Sequence, residues 1–268
     1  MTAPIQLAIH GAAGRLGRRV VALANEDPAF QTIAAIDHSE CPSLDSDAGL
    51  LAGIPAIEVN LSSTWPSKAD AVIDFSLPSA FDSVLSNCVA GNIPLVMATT
   101  GLSDANKAAM ADAAQSLPIV WAPSMSLAVN LSMKMAQQIA EKLKDVAGGV
   151  DIEILERHHR FKADAPSGTA LRFGELIAEV LGGETKHVHG REGETGQRSG
   201  NEIGYHAIRI GDNPGEHTIA FGMLGERIEL NVAASNRDCY ASGALAAAKW
   251  LRGRSAGLYN MFDVLGLS

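Results

Sequence analysis

Residues Ile5 to Gly17 read IQLAIHGAAGRLG, an apolar run that leads directly into three glycines spaced as GxxGxxG. Ile5 to His10 predicts a short buried strand, and Leu16, Val20 and Leu23 mark one face of a following helix. A strand, a glycine turn and a helix in this order are typical of a dinucleotide-binding site, because glycines permit the tight turn and the helix N-terminus receives the pyrophosphate. The commoner spacing is GxGxxG, so a purely structural turn is the alternative interpretation.

A second predicted strand, Gln31 to Ile36, ends at Asp37, twenty residues after Gly17. A carboxylate at this place accepts hydrogen bonds from the 2′-hydroxyl of NAD and repels the 2′-phosphate of NADP. We therefore expect NADH to be used well, and NADPH also to be accepted where Arg15 and Arg18 supply positive charge. The residues predicted to bind the nucleotide here are Gly11, Ala12, Ala13, Gly14, Arg15, Leu16, Gly17 and Asp37.

Strands and helices continue to alternate through the first half of the chain. This alternation predicts an α/β fold with a Rossmann-type, doubly wound parallel sheet, whose ligands lie at the carboxyl ends of the strands. The predicted strands are Ala71 to Phe75, Pro94 to Ala98 and Pro118 to Trp121, and the predicted helices run from Ser76 to Gly91 and from Asp104 to Ser116.

In the second half of the chain, several segments alternate apolar and polar residues with a period of two, which is typical of half-buried strands. This pattern predicts an α+β domain with a mixed or antiparallel sheet. The predicted helices are Asn130 to Val146, Thr169 to Leu181 and Asp238 to Arg252; the predicted strands are Val150 to Ile154, Glu202 to Ile210, Glu216 to Met223 and Arg227 to Ala233. Glu184 to Gly200 is rich in glycine and glutamate and predicts a mobile loop.

Glu156 to Ala170, ERHHRFKADAPSGTA, concentrates reactive side chains between a strand and a helix. Ser167-Gly168-Thr169 lies where free backbone N–H groups and the helix dipole favour a carboxylate. Lys162 offers a positive charge and a transferable proton, and His158 and His159 bind anions or transfer protons near neutral pH. His158 and Lys162 would point to the same side if the extended conformation reached that far. The alternative interpretation is an ordinary helix cap with solvated histidine and lysine side chains.

Composition excludes several classes of partner. The net charge of −9 and the pI near 5.3 argue against nucleic acid and anionic membranes as partners. Three widely spaced cysteines form neither a disulfide framework nor a CxxC pair, and no apolar stretch is long enough to cross a bilayer, so we expect a cytoplasmic protein. His187-x-His189 and His158-His159 lack the residues that usually complete a zinc site, and we expect no metal.

Glu156 to Ala170 resembles the motif of the 4-hydroxy-tetrahydrodipicolinate (dihydrodipicolinate) reductases, a core of two histidines and a lysine that leads to Asp-Ala-Pro-Ser-Gly-Thr-Ala; here the core reads His158-His159-Arg160-Phe161-Lys162. The resemblance extends over essentially the whole chain. It implies NADH- or NADPH-dependent reduction of a small cyclic dicarboxylate, 4-hydroxy-2,3,4,5-tetrahydrodipicolinate, in the diaminopimelate route of lysine biosynthesis. It implies further that Lys162 donates the proton, that His158 assists it, and that His159, Ser167, Gly168 and Thr169 hold the carboxylates.

The resemblance also implies an organisation for the chain. Residues 1–124 and 237–268 would form the dinucleotide-binding domain, and residues 125–236 the domain for substrate binding and assembly into a homotetramer. Hinges near Ser124 and Asn236 would allow the domains to close on both ligands. The loops beside the nicotinamide would be Ala98, Thr99 and Thr100, followed by Ala122, Pro123, Ser124 and Met125. Ala98 replaces a glycine that is usual in the family, and Pro123-Ser124-Met125 departs from its second loop.

Two other functions are compatible with parts of this pattern. Another Rossmann-fold amino-acid or aldehyde dehydrogenase would share the glycine turn. It would not require His158, Lys162 and the Ser-Gly-Thr turn together. A non-catalytic nucleotide-sensing or scaffolding protein would retain the fold without turnover, and a turnover assay separates it from an enzyme.

Overall fold

The computed structural model describes residues 3–267, and these form two compact units. One unit comprises the chain up to Leu127 together with the chain from Arg237 onward, and the other spans Ala128–Asn236. Elements are numbered along the chain. In the first unit the strands are β1 Ile5–His10, β2 Phe30–Ile36, β3 Leu61–Ser62, β4 Ala71–Asp74, β5 Leu95–Met97, β6 Pro118–Trp121 and β12 Gly257–Tyr259. Its helices are α1 Arg15–Glu26, α2 Ala48–Ala52, α3 Phe81–Gly91, α4 Asp104–Ala113, α7 Asp238–Leu251 and α8 Met261–Leu265, and a 3₁₀ turn, Pro78–Ala80, precedes α3.

The first unit contains a seven-stranded sheet in the order β12-β6-β5-β4-β1-β2-β3, with every neighbouring pair parallel. The order 3-2-1-4-5-6 within it is that of the doubly wound Rossmann fold, in which the strand order reverses beside β1. The predicted fold class is confirmed for this part of the chain. The last strand, β12, follows α7 and pairs with β6 at one edge of the sheet.

Apolar side chains cover both faces of this sheet. Along β1, Leu7 and Ile9 belong to one buried cluster and Ala8 to another, because successive side chains of a strand point to opposite faces. The first cluster includes residues of α1 and α7, and the second includes residues of α3 and α4. Burial on both faces explains why β1, β4 and β5 read as continuous apolar runs rather than alternating ones.

Two glycines of the first turn are required by its geometry. Gly11 has a φ of +72°, and a β-carbon there would lie 2.8 Å from the carbonyl oxygen of Phe75. At Gly17 a β-carbon would lie 2.1 Å from the carbonyl oxygen of Gly11, so α1 packs directly against the turn that precedes it. The turn therefore holds its shape only with these glycines in place.

The second unit contains a mixed five-stranded sheet in the order β11-β10-β7-β9-β8. β10 pairs antiparallel with both β11 and β7, whereas β9 runs parallel to both β7 and β8. The elements are α5 Leu127–Leu143, β7 Asp151–His158, α6 Gly168–Leu181, β8 Lys186–His189, β9 Glu202–Arg209, β10 Glu216–Met223 and β11 Glu226–Ala233. A mixed sheet with two helices matches the α+β prediction for this half.

The structure corrects three expectations in the second unit. Strand β7 extends to His158, four residues beyond the predicted end at Ile154. The extended conformation stops there, because the amide of Lys162 donates to the carbonyl oxygen of His159 and closes a turn. Part of the predicted loop, Lys186–His189, is strand β8, which the short and polar sequence did not reveal.

The rest of that loop is attached to the sheet by two arginines. Arg191 and Arg198 both donate to the carboxylate of Glu153 on β7. Together with His206, these partners outweigh the effect of burial, which by itself raises the pKa of Glu153, and they bring that pKa down to about 2. Within residues 3–267, no helix is both long and apolar enough to span a bilayer.

Candidate active site

A cavity of about 860 Å³ lies at the carboxyl ends of β1, β2 and β4 in the first unit. We call it the glycine-turn cavity. Nine of the residues predicted to bind the nucleotide contribute to its wall: Gly11, Ala13, Gly14, Arg15, Leu16, Asp37, Ala98, Thr99 and Thr100. These residues come from three separate segments of sequence, and the parallel sheet brings them together because the carboxyl ends of its strands share one edge.

The start of α1 presents free donors to this cavity. Its N-cap is Gly14, which has no side chain to cap the helix, and among residues 3–267 no acceptor meets the amides of Arg15 and Leu16. Asp37 is fixed beside it: one carboxylate oxygen accepts from the amide of Ala13 and the other from the amide of His38, both at 2.9 Å. Open helix donors for a pyrophosphate and a fixed carboxylate for a ribose fit a dinucleotide.

The remaining predicted nucleotide ligands do not line the cavity. Ala12, Ala122 and Met125 belong to the hydrophobic core, and Gly17 is occupied in packing α1 against the turn. Pro123 and Ser124 follow the end of β6, outside the set of residues that forms the cavity wall. A direct contact of these six residues with the nucleotide therefore stays a prediction.

A buried polar network supports the loop that carries Thr99. The Thr99 hydroxyl donates to one oxygen of Asp74 at 2.6 Å, and the His10 ring lies 2.7 Å from the other oxygen. Trp65 stacks on His10 with ring centroids 5.2 Å apart. Asp74 is completely enclosed, so the network fixes the backbone of the Thr99 loop in one position. Sequence analysis did not assign a role to His10, Trp65 or Asp74.

In the second unit, the carboxylate of Glu156 organises the residues around His158. It lies 2.6 Å from His158 Nδ1, accepts two hydrogen bonds of 2.8 Å from the guanidinium of Arg209, and accepts a third from the amide of Ser167 at 3.0 Å. We call Glu156, His158, Ser167, Arg209 and His217 the Glu156 cluster. Because Nδ1 faces a carboxylate, the Nε2 atom of His158 is the ring nitrogen left for a ligand.

Burial and charge set the protonation states within the Glu156 cluster. Burial lowers the pKa of His158, and this effect exceeds the opposing attraction of Glu156. For Glu156, burial raises the pKa, but hydrogen bonds from Arg209 and His158 outweigh it and hold the pKa below its ordinary value. At neutral pH the cluster therefore pairs an ionised Glu156 with a neutral His158.

His217 contacts Ser167, the N-cap residue of α6, on the buried side of the helix end. Its Nε2 atom lies 3.1 Å from the hydroxyl of Ser167, and its ring meets that of His158 edge to face at 5.2 Å. Burial lowers the pKa of His217 to about 4, so its ring is neutral. The same Ser167 hydroxyl accepts from the amide of Ala170 and caps the helix. Since this hydroxyl is buried and already has two partners, its role is to hold the helix end in place.

The amino end of α6 is open towards solvent. Throughout residues 3–267, no acceptor meets the amides of Gly168 and Thr169, which are the first two of the helix. A β-carbon built on Gly168 would have no heavy atom within 4 Å. Two free N–H groups at a positive helix end, with open space before them, form a place for a carboxylate.

His159 and Lys162 lie in the turn that joins β7 to α6. The Nδ1 atom of His159 is buried and has no hydrogen-bond partner among the described residues. The ammonium of Lys162 pairs with Asp164 at 2.8 Å and is about one-fifth exposed. The predicted residues of the second unit therefore lie at the end of β7, in the turn that follows it, and at the start of α6.

Sequence analysis missed the residues that orient His158. Glu156 precedes it by two positions on the same face of β7, so the alternation was a usable signal. Arg209 and His217 come from other strands, and the register of the sheet places Arg209 opposite His158 and His217 opposite Glu156. That register depends on pairing between distant segments, which the sequence did not show.

Comparison with known proteins agrees over the whole length of the chain. The sequence models for the N-terminus and the C-terminus of dihydrodipicolinate reductase match residues 5–125 and 128–265. A 4-hydroxy-tetrahydrodipicolinate reductase from Rhodopirellula baltica is 67% identical, with 100% of this chain and 98% of the relative covered. Another, from Alkalilimnicola ehrlichii, is 45% identical, with 98% of this chain and 99% of the relative covered.

A solved structure agrees as well. The dipicolinate-bound dihydrodipicolinate reductase from Paenisporosarcina sp. TG-14 superimposes with a TM-score of 0.78 at 27% identity. The similarity covers 97% of this chain and 98% of that one, so it includes both sheets.

Proposed function

The chain belongs to the dihydrodipicolinate reductase family, and from that membership we propose how its own residues reduce 4-hydroxy-tetrahydrodipicolinate. The reaction adds a hydride from NADH or NADPH and a proton to the substrate, releases water, and yields tetrahydrodipicolinate for lysine biosynthesis. The single observation that carries the residue assignment is the open amino end of α6, directly after the turn that holds His159 and Lys162.

The free amides of Gly168 and Thr169 hold one carboxylate of the substrate. They are the unpaired donors of α6, and the helix dipole adds a favourable positive potential at this end. His159, in the turn that precedes this helix end, is proposed to donate a further hydrogen bond to the carboxylate. Ser167 contributes indirectly, because its hydroxyl is used to cap the helix and to contact His217. The expectation from the sequence was that Ser167 itself helps to hold the carboxylates.

Lys162 donates the proton. A bound reduced nicotinamide supplies the hydride, and the electron density that arrives on the substrate ring must be neutralised by an acid. His158 is neutral at pH 7 because burial lowers its pKa, so it is a poor acid, whereas the ammonium of Lys162 is a hydrogen-bond donor with a transferable proton. In the proposal the Asp164 carboxylate releases Lys162 when the anionic substrate binds. His158 then orients the lysine, whose ammonium donates a hydrogen bond to Nε2.

The glycine-turn cavity holds the nucleotide. The N–H groups at the start of α1 take the pyrophosphate, and Asp37 takes the adenosine ribose. Arg15 and Arg237 also line the cavity and offer positive charge to a 2′-phosphate. We therefore propose that NADH is used well and that NADPH is also accepted. A kcat/KM ratio that favours NADPH by more than about tenfold would contradict the role given to Asp37.

The two-domain organisation is part of the proposal. Residues 1–124 and 237–268 carry the nucleotide, residues 125–236 carry the substrate, and hinges near Ser124 and Asn236 join them. Hydride transfer needs reacting atoms about 3–3.5 Å apart, so the domains must close when both ligands are bound. Small-angle scattering profiles that are identical with and without both ligands would argue against a large closure.

Assembly into a homotetramer through the five-stranded sheet is also proposed. Strand β11 lies at one edge of this sheet; Ile228 on the strand and Leu224 in the turn before it are exposed apolar side chains. An edge strand of eight residues with exposed apolar groups is normally covered by a partner. A cytoplasmic location fits three cysteines that are present as thiols, Cys41, Cys88 and Cys239.

The direct test is a turnover assay with enzymatically generated substrate, in which NADH and NADPH are offered separately and the loss of reduced nicotinamide is followed by absorbance. The proposal predicts substrate-dependent oxidation of NADH. Oxidation driven instead by an amino acid or an aldehyde would favour another Rossmann-fold dehydrogenase. Nucleotide binding without turnover on any of these substrates would favour a sensing protein.

A further inference from the structure

The turn after β2 brings three metal-binding side chains to one place in the glycine-turn cavity. Asp37, His38 and Cys41 each offer one ligand atom, and these atoms all lie within 4.8 Å of one another. The spacing is Asp-His-x-x-Cys, and the turn is closed by a hydrogen bond of 2.9 Å from the amide of Cys41 to the carbonyl oxygen of His38. The backbone thus holds the imidazole and the thiol on the same turn.

Two of the three groups are already fixed. The carboxylate of Asp37 is oriented by the amides of Ala13 and His38, and this kind of support is what the carboxylate ligands of metal sites generally have. The Cys41 side chain is buried but lines the cavity, so it is reachable from there. The His38 side chain is 66% exposed, with Nε2 at 3.9 Å from Asp37 Oδ1.

We propose that Asp37, His38 and Cys41 form a binding site for Zn²⁺, with water in the fourth position. An imidazole, a thiolate and a carboxylate are the ligand types that zinc accepts in tetrahedral sites, whereas Mg²⁺ and Ca²⁺ prefer oxygen ligands throughout. Binding converts the Cys41 thiol to a thiolate, and its proton leaves to solvent. Small movements of the His38 side chain bring the three atoms to coordination distance.

The other histidine pairs of the chain are less suited to a metal. His158 uses Nδ1 on Glu156, and His187 uses Nδ1 on the hydroxyl of Tyr205 at 2.6 Å. We compared all His, Cys, Asp and Glu side chains within residues 3–267. Asp37, His38 and Cys41 form the one group of at least three whose ligand atoms lie close enough to share an ion. The two histidine pairs that stand out in the sequence are therefore weaker candidates for a metal site than Asp37, His38 and Cys41.

Zinc and the nucleotide would exclude each other at this site. Asp37 is the residue that takes the adenosine ribose in the proposed function, and this part of the inference rests on that proposal. An ion held by Asp37 removes the carboxylate from the ribose and places positive charge in the cavity wall. Zn²⁺ should therefore inhibit the reductase competitively with NADH and leave the affinity for the dicarboxylate unchanged.

The site itself is tested on the nucleotide-free protein. Equilibrium dialysis measures Zn²⁺ binding, and Cd²⁺, titrated separately, reports a thiolate ligand through its ultraviolet charge-transfer absorbance. The variants are His38→Gln and Cys41→Ser, and the matched controls are His189→Gln and Cys239→Ser. We expect one high-affinity ion per chain, and a loss of affinity of about tenfold or more in the first two variants, since even outer-shell partners cost that much. The controls should bind like the wild type.

The results separate the metal site from the proposed function. Zinc binding that is absent, or that is equally strong in His38→Gln and in the wild type, overturns the site. His38 is exposed, so this variant decides the matter even if Cys41→Ser fails to fold. Zinc binding that depends on His38 and Cys41, without competition against NADH, supports the metal site and contradicts the placement of the ribose at Asp37.

Discussion

Glu156, on the central strand of the second sheet, holds the residues of the proposed substrate site in place. Its carboxylate is fully enclosed and accepts hydrogen bonds from Arg209, from His158 and from the amide of Ser167. The two arginine bonds are bidentate and charge-assisted, which is the strongest arrangement available to a carboxylate. Glu156 therefore fixes the ring of His158 and the start of α6 at the same time.

Replacing Glu156 should be costly for stability. In Glu156→Gln, Arg209 keeps its charge but loses its counter-charge. The Arg209 side chain is 19% exposed, so breaking this largely enclosed pair costs up to about 3 kcal/mol in the free energy of unfolding. Urea denaturation measures the change. The control is Glu216→Gln, which removes the exposed pair with Arg157 at 3.4 Å and should cost less than about 1 kcal/mol. Equal effects of the two substitutions would show that Glu156 does not have this role.

The buried histidine His217 predicts how stability depends on pH. Burial lowers its pKa to about 4 in the folded protein, against an ordinary value of 6.5. Between these values the unfolded chain binds a proton that the folded chain does not, so the free energy of unfolding falls as the pH falls from about 6.5 to about 4. His158 adds a change of the same sign, and the lowered pKa of Glu156 adds one only below its ordinary value of 4.5.

Chemical denaturation across this pH range provides the measurement. In His217→Gln the decline towards acid should be shallower than in the wild type, because one of the groups that takes up a proton on unfolding is gone. His189→Gln, which changes an exposed ring on β8, should keep the slope of the wild type. A His217→Gln variant with an unchanged slope would mean that His217 is not buried as a neutral ring.

At the scale of single elements, local signals predicted what local interactions determine. β1, the glycine turn and α1 were predicted correctly. Their signals, an apolar run, the glycines that the turn requires and a 3.6-residue period, can each be recognised within a short stretch of sequence. β8 and β12 were missed, since each has only three or four residues and is defined by its neighbour in the sheet. The end of β7 was placed too early because its buried side chains change there from apolar to polar, at Glu156 and His158.

The helix α6 gives a test of carboxylate binding that does not disturb the fold. A β-carbon at Gly168 meets no atom within 4 Å, so Gly168→Ala should fold as well as the wild type. The added methyl group lies in the space where the carboxylate would approach the free amides. We expect a KM for the dicarboxylate that is raised about tenfold or more, corresponding to about 1.4 kcal/mol of lost binding, with an unchanged Kd for NADH.

Gly17→Ala is the complementary control. There a β-carbon would lie 2.1 Å from the carbonyl oxygen of Gly11, so the glycine turn must move. This variant should lose thermal stability and nucleotide affinity, whereas Gly168→Ala loses neither. A Gly168→Ala variant that keeps the KM of the wild type would remove the amino end of α6 from the substrate site.

At the scale of the whole molecule, the sequence indicated a parallel α/β sheet and a mixed second sheet, and both are present. What the sequence could not supply was the pairing between distant segments. β12 pairs with β6 across more than a hundred residues of chain, and Arg209 and His217 reach Glu156 from β9 and β10. These contacts are set by sheet order and register, which leave little trace in a single sequence.

The proposed tetramer predicts the molar mass of the protein in solution. If the subunits associate through β11 and its neighbouring turn, a charge at Ile228 should weaken the interface, because an unpaired charge in an apolar contact is costly. Light scattering coupled to size-exclusion chromatography should find a tetramer for the wild type and smaller species for Ile228→Asp. Leu50→Asp, at an exposed apolar position in the first unit, is the matched control and should keep the mass of the wild type. A wild-type protein that elutes as a monomer at all concentrations would contradict the assembly.

The central claim is that Lys162 protonates a dicarboxylate held at the amino end of α6. The most direct test is the kcat of Lys162→Ala with NADH and enzymatically generated substrate, with Lys107→Ala, a surface lysine on α4, as control. We predict that kcat falls by about 10²–10⁴ in Lys162→Ala, while the Kd for NADH stays near that of the wild type and the control is fully active. A Lys162→Ala enzyme that keeps most of its kcat would contradict the account.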